Sequence, residues 1–124
     1  MIRDLVEVTL PAASAYLSVL RTATAGLAAR LDFTLDEIED LRIAVDEACA
    51  MLLPQTAAEG PLRCVFELEE DALSVTVSLP TTRGTLPDRD TFAWTVLTAL
   101  AGEVDAGVSD DLTVWIALRK RRGT

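Results

Sequence analysis

Ala29-Arg30-Leu31-Asp32-Phe33-Thr34-Leu35-Asp36-Glu37-Ile38-Glu39-Asp40-Leu41-Arg42-Ile43-Ala44-Val45-Asp46-Glu47-Ala48 is the stretch on which the fold turns. Within it Thr34-Leu35-Asp36-Glu37 has the form of a capping box. A hydroxyl and, three residues on, a carboxylate each take up a backbone N–H that the first turn of a helix leaves without a partner. Downstream of the box Ile38, Leu41, Val45, Ala48 and Leu52 recur at helical spacing and trace one apolar stripe. Pro54 and the small polar residues behind it end the element. Asp36, Glu37, Glu39 and Asp40 crowd its first turns, where negative charge meets the positive end of the helix dipole.

Working outward from this helix, Leu17, Leu20, Thr24, Leu27, Ala28 and Leu31 give a preceding helix, with Ser14 near its start. Before it, Ile2 to Leu10 alternates, with Ile2, Val6, Val8 and Leu10 on one side and Leu5, Glu7 and Thr9 on the other, until Pro11 halts the strand. On the other flank two alternating runs, Leu62-Cys64-Phe66-Leu68 and Leu73-Val75-Val77-Leu79, form a hairpin around Glu70-Asp71. Its second face carries Arg63, Glu67, Ser74, Thr76 and Ser78 and is expected to be wet. A loop from Pro80 to Asp88 leads to a third helix with Phe92, Trp94, Val96, Leu97 and Leu100, closed by Gly102. Apolar around much of its circumference, that helix is expected to be buried on several sides. Val104 to Val108 and Leu112 to Leu118 then form a last pair of strands around Ser109-Asp110-Asp111, with Leu112, Val114, Ile116 and Leu118 inward. The order βααββαββ predicts an α+β domain of two layers, three helices on one face of a mostly antiparallel sheet, spanning 1–124 as a single unit.

The chain has 124 residues, half of them apolar, enough for one core. No apolar run reaches the roughly 18 to 20 residues that span a bilayer, and the first residues read as strand instead of leader, so a cytoplasmic protein is expected. Histidine is absent, which excludes Ser-His and Cys-His catalysis, and two cysteines, Cys49 and Cys64, support neither a disulfide scaffold nor a zinc site. Both are read as small buried core residues in preference to a redox pair. The net charge is −9, although four of the eleven basic residues stand together as Arg119, Lys120, Arg121 and Arg122. So acidic a body repels a phosphate backbone and attracts a basic protein segment. It equally keeps a protein soluble. The basic run is expected to be a frayed end.

The quoted stretch, with the opening strand and Phe92-Ala93-Trp94-Thr95-Val96-Leu97-Thr98-Ala99-Leu100, resembles the RsbW-type anti-sigma factors of the GHKL (Bergerat-like, histidine kinase-like) ATPase fold, and in its later segment their actinobacterial UsfX-like branch. The resemblance covers nearly the whole chain. It implies an anti-sigma factor that sequesters a sigma factor, is released by an antagonist of the STAS type, acts in stress-type transcription control and forms dimers. It does not imply direct nucleic-acid or membrane binding.

The same resemblance implies an ATP site, and the chain departs from it box by box. The first box should read Glu-x-x-x-Asn, yet Glu47 is followed four residues later by Met51, a thioether where magnesium wants oxygen. Both are expected on a face away from the core stripe, where Glu47 is either vestigial or a solvated carboxylate. Where the second box needs an Asp for adenine and two glycines, the chain offers Leu79, Thr81 and Arg83. Where the third needs Gly-x-Gly to cradle phosphate at a helix start, it has Thr91 and Ala93, and the loop before them is too short for a lid. Loss of ATP, magnesium and kinase activity is therefore expected, the alternative being an active serine kinase that phosphorylates the antagonist.

For the partner contact the resemblance matches Arg21 on the first helix, with Leu17 and Thr24 beside it. A guanidinium suits bidentate recognition of a carboxylate, and the plain alternative is an arginine shielding the helix flank. Trp115 on the outer sheet face and Trp94 on the third helix are candidates for a homodimer contact.

Overall fold

The computed structural model describes residues 4–57 and 60–123. Its elements are β1 (Asp4–Pro11), α1 (Leu17–Arg30) after a 3-10 turn at Ser14–Tyr16, α2 (Leu35–Leu52), β2 (Pro61–Leu68), β3 (Ala72–Pro80), α3 (Phe92–Ala101), β4 (Glu103–Val108) and β5 (Thr113–Arg121). This is the expected order, and the α+β two-layer architecture holds. Ile2, placed in the first strand by its alternation, lies outside the described residues.

The five strands form one fully antiparallel sheet in the order β1-β2-β3-β5-β4. Alternation sorts its side chains. Leu62, Cys64, Phe66, Leu73, Val75, Val77, Leu79, Val114, Ile116 and Leu118 point to the helical layer and are buried, whereas Leu5 on the opposite face of the edge strand β1 is 69% exposed. α2 lies across β3 and β5 with α1 and α3 on its flanks. It buries Leu41, Ala44, Val45, Ala48, Cys49 and Leu52, a broader stripe than the single row seen in the sequence.

Four expectations need correction. α3 is buried on one side only, through Trp94, Leu97 and Ala101, while Phe92 is 83% exposed. It lies at the margin of the helical layer with no further layer above it. Leu112 does not point inward from a strand. It sits in the turn before β5 with φ of 65°, in the left-handed region that branched and bulky side chains avoid, and is 41% exposed. Its carbonyl accepts from both the backbone N–H and the hydroxyl of Thr81, at 3.2 and 2.7 Å, which holds it there. Trp94 is not an exposed aromatic but a core residue, with the Arg89 guanidinium 4.7 Å from its ring centre.

The fourth correction is the basic run, which is not frayed. Arg119 to Arg121 complete β5. Arg119 donates to Glu69 and Glu103, each at 2.9 Å, and these carboxylates hold its guanidinium more firmly protonated than usual. Lys120 is buried, but its ammonium donates to the carbonyl of Leu100 in the last turn of α3 at 2.9 Å and lies 3.9 Å from Asp40. A buried charge is tolerable only with such partners.

The capping box is present in full. The Thr34 hydroxyl accepts from the Glu37 N–H at 3.2 Å and the Glu37 carboxylate accepts from the Thr34 N–H at 2.8 Å. Glu37 also accepts from the N–H of Gly123 at 2.7 Å, so the start of α2 and the end of the chain share one carboxylate. The bond from the Thr34 backbone, then that from Gly123, holds its pKa below the ordinary 4.5 against the opposing effect of burial. Its stabilising contribution is thus complete above about pH 4.5 and drains away as pH falls through the lowered folded value. Glu37→Ala is expected to cost about 1–2 kcal/mol in urea unfolding at neutral pH. Glu37→Gln is expected to flatten the loss of stability on the acid limb. An acid limb identical to that of the unaltered chain would contradict this.

Candidate functional site

The three nucleotide-box positions fall at the carboxyl end of α2, at the end of β3 with the loop after it, and at the start of α3. Several of their side chains are engaged elsewhere. Met51 is half-buried and packs against the core, which corrects its expected placement on the opposite side of α2. Three residues from Ala48, it lies beside the buried stripe of the helix. Glu47 is half-buried on the same helix. Among the described residues no group of three acidic or cysteine side chains is arranged to hold a metal ion.

Leu79 is part of the buried core. Thr81 is buried, donates its hydroxyl to the carbonyl of Leu112 and accepts from the N–H of Gly84 at 2.7 Å. Arg83 is exposed on the loop. That loop is drawn down onto the end of α2 by Gln55, whose amide donates to the Thr85 carbonyl at 2.8 Å and accepts from the Thr85 N–H at 3.1 Å. A Thr56–Thr81 bridge adds a second tie. Between them remains a cleft of about 270 Å³ lined by Pro54, Gln55, Thr56, Thr81, Thr82, Arg83 and Thr85. That lies below the roughly 300–1,000 Å³ of small-molecule pockets.

At the start of α3 the Thr91 hydroxyl accepts from the Trp94 N–H at 3.2 Å. A phosphate at a helix N-terminus would need such free N–H groups, and here one is taken by the cap. Ala93 adds a Cβ where close backbone approach would be required. Met51 thus brings no oxygen for magnesium, and Ala93 no bare backbone for a phosphate.

The other candidate surface is α1. Leu17 and Thr24 are buried, Thr24 with its hydroxyl donating to the Leu20 carbonyl at 2.7 Å, so neither presents a side chain to a partner and both expectations are corrected. They lie at the seam with α2 because the apolar row of α1 faces the core. Arg21 does reach the surface, with its side chain 37% exposed. Its Nη1 donates to both carboxylate oxygens of Asp46 on α2, at 3.1 Å each. Asp46 was not legible as its partner, since a pairing across 25 residues depends on how two helices are set side by side.

Trp115 lies half-buried on the outer sheet face, over Gly107, where an added Cβ would come within 2.4 Å of the indole. Cys49 and Cys64 are both free and buried. Burial, then the Asp46 charge, pushes the Cys49 thiol up to about 12, and burial raises Cys64 likewise. Both thiols are expected to stay unmodified by iodoacetamide in the folded protein and to react once urea unfolds it. Rapid labelling of either in the native state would contradict the buried arrangement.

No protein-family profile matches the chain. Curated relatives do. A serine-protein kinase RsbW of Halalkalibacterium halodurans is 38% identical over 90 residues, covering 72% of this chain and 54% of that protein. One of Bacillus cereus is 37% identical over 75 residues, covering 59% of this chain and 47% of its relative. The chain thus spans about half the length of the curated relatives it matches. Among solved structures, that of the RsbU and RsbW domains of Rv1364c from Mycobacterium tuberculosis matches 96% of this chain and 32% of its own, with a TM-score of 0.74 at 16% identity. The sequence relationship makes the chain an RsbW homologue, and the structural match carries the GHKL-type fold.

Proposed function

We propose that this RsbW-type chain is an anti-sigma factor that sequesters a sigma factor by protein–protein contact through α1, is released by a competing STAS-type antagonist, and has lost ATP binding and kinase activity. The observation that carries the loss is the commitment of four box positions at once. Met51 and Leu79 are given to the core, Thr81 to the Leu112 turn and Thr91 to the cap of α3. Each of these side chains is engaged in its own contacts, and Met51 offers a thioether where magnesium would take an oxygen. Arg21 supports the binding half of the proposal, being a partly exposed cation on α1 at the position implied by family resemblance.

A body with net charge −9 favours encounter with basic segments of a protein partner over nucleic acid. No helix among the described residues is long and apolar enough to cross a membrane, and the proposed place of action is the cytoplasm. The uncovered outer sheet face around Trp115 is the surface proposed for a second copy of the chain.

The names of the relatives favour one rival, an active serine kinase acting on the antagonist. Two measurements separate the readings. Titration calorimetry with ATP and magnesium is expected to show no binding tighter than about 100 μM, which corresponds to about −5.5 kcal/mol. Tighter binding, or transfer of labelled phosphate to an antagonist, would establish the kinase instead. Against a panel of purified sigma factors from the host bacterium, one is expected to be held. Arg21→Ala is expected to weaken that complex by about 2 kcal/mol or more, with the fold intact. Equal affinity for a folded Arg21→Ala protein would remove α1 as the contact surface.

A further inference from the structure

We infer that Asp46 is a positioning residue for the partner contact, holding Arg21 so that one edge of its guanidinium faces outward to take a carboxylate of the partner. This rests on the role of Arg21 proposed above. The geometry is specific. Nη1 alone serves Asp46, donating to both of its oxygens at 3.1 Å. Among the described residues, Nε and Nη2 have no hydrogen-bond partner. These two nitrogens form a side-on fork, and two parallel N–H donors at that spacing match the two oxygens of a carboxylate.

Stability is a poor account of the pair. Both side chains are about one-third exposed, 37% for Arg21 and 34% for Asp46, and exposed ion pairs add little to folding. The effect that remains is on orientation. A free arginine samples many rotamers and must be ordered when a complex forms, whereas one already tethered through Nη1 presents its second edge with less left to lose. Asp46 also balances the charge of Arg21, so the outward edge works through directed N–H bonds more than through a bare positive field. Selection would then act on the placement of the acceptor in the partner and not only on its charge.

The test is a double-mutant cycle on the complex with the sigma factor that the unaltered chain holds, read as Kd, with a thermal melt of every variant. Asp46→Ala is expected to weaken binding about 5- to 10-fold, and Asp46→Asn, which keeps one acceptor oxygen, by less. In an Arg21→Ala background Asp46→Ala is expected to add nothing. Unchanged or tighter binding of Asp46→Ala, while Arg21→Ala still weakens it, overturns the positioning role alone, and tighter binding would mark Asp46 as an internal competitor. An equal loss in both backgrounds also overturns it, because Asp46 would then act through helix packing. If Arg21→Ala itself has no effect, the contact reading fails and takes this role with it.

Discussion

The Glu37 carboxylate accepts from the Thr34 N–H at the start of α2 and from the Gly123 N–H beyond β5, so one side chain caps the central helix and ties it to the segment after the last strand. With α2 placed, Lys120 in β5 reaches the last turn of α3 and comes close to Asp40 in α2, tying three elements at one end of the molecule. At the other end Gln55, just beyond α2, ties down the loop after β3. Between these two ties the buried row from Leu41 to Leu52 lies on the sheet. Met51, Leu79, Thr81 and the Thr91 cap belong to the same fabric of packing and capping.

That fabric explains which parts of the molecule were legible in its sequence. Strict alternation in β2 and β3, and the box at Thr34 to Glu37, are local signals tied to local hydrogen bonds, and the structure follows them closely. Where the expectation failed, the deciding contact was distant. Apolar content on all sides of α3 suggested deep burial, but its place at the margin of the layer leaves Phe92 in water. Leu112 carried strand-like chemistry yet is held in a left-handed turn by Thr81, 31 residues away. The basic run looked like a loose end because its partners Glu69, Glu103 and Leu100 belong to other elements.

The candidate site divides in the same way. Absence of required residues could be read directly, since no packing turns Met51 into a hard oxygen donor or Thr91 into a glycine. What those residues do instead was not legible, because it depends on which face of α2 meets the sheet and on the cap at α3. Of the three residues expected to bind a partner on α1, only Arg21 reaches the surface, and its pairing with Asp46 emerges only once two helices are packed together.

The central proposal is that this chain works by surface contact alone, with Met51, Leu79, Thr81 and Thr91 given to packing, a turn and a helix cap. The most direct measurement is the Kd of its sigma factor complex with and without ATP and magnesium. The account predicts the same affinity in both conditions and no phosphorylated product. A Kd shifted about tenfold or more by the nucleotide, equivalent to about 1.4 kcal/mol of coupling, would contradict it.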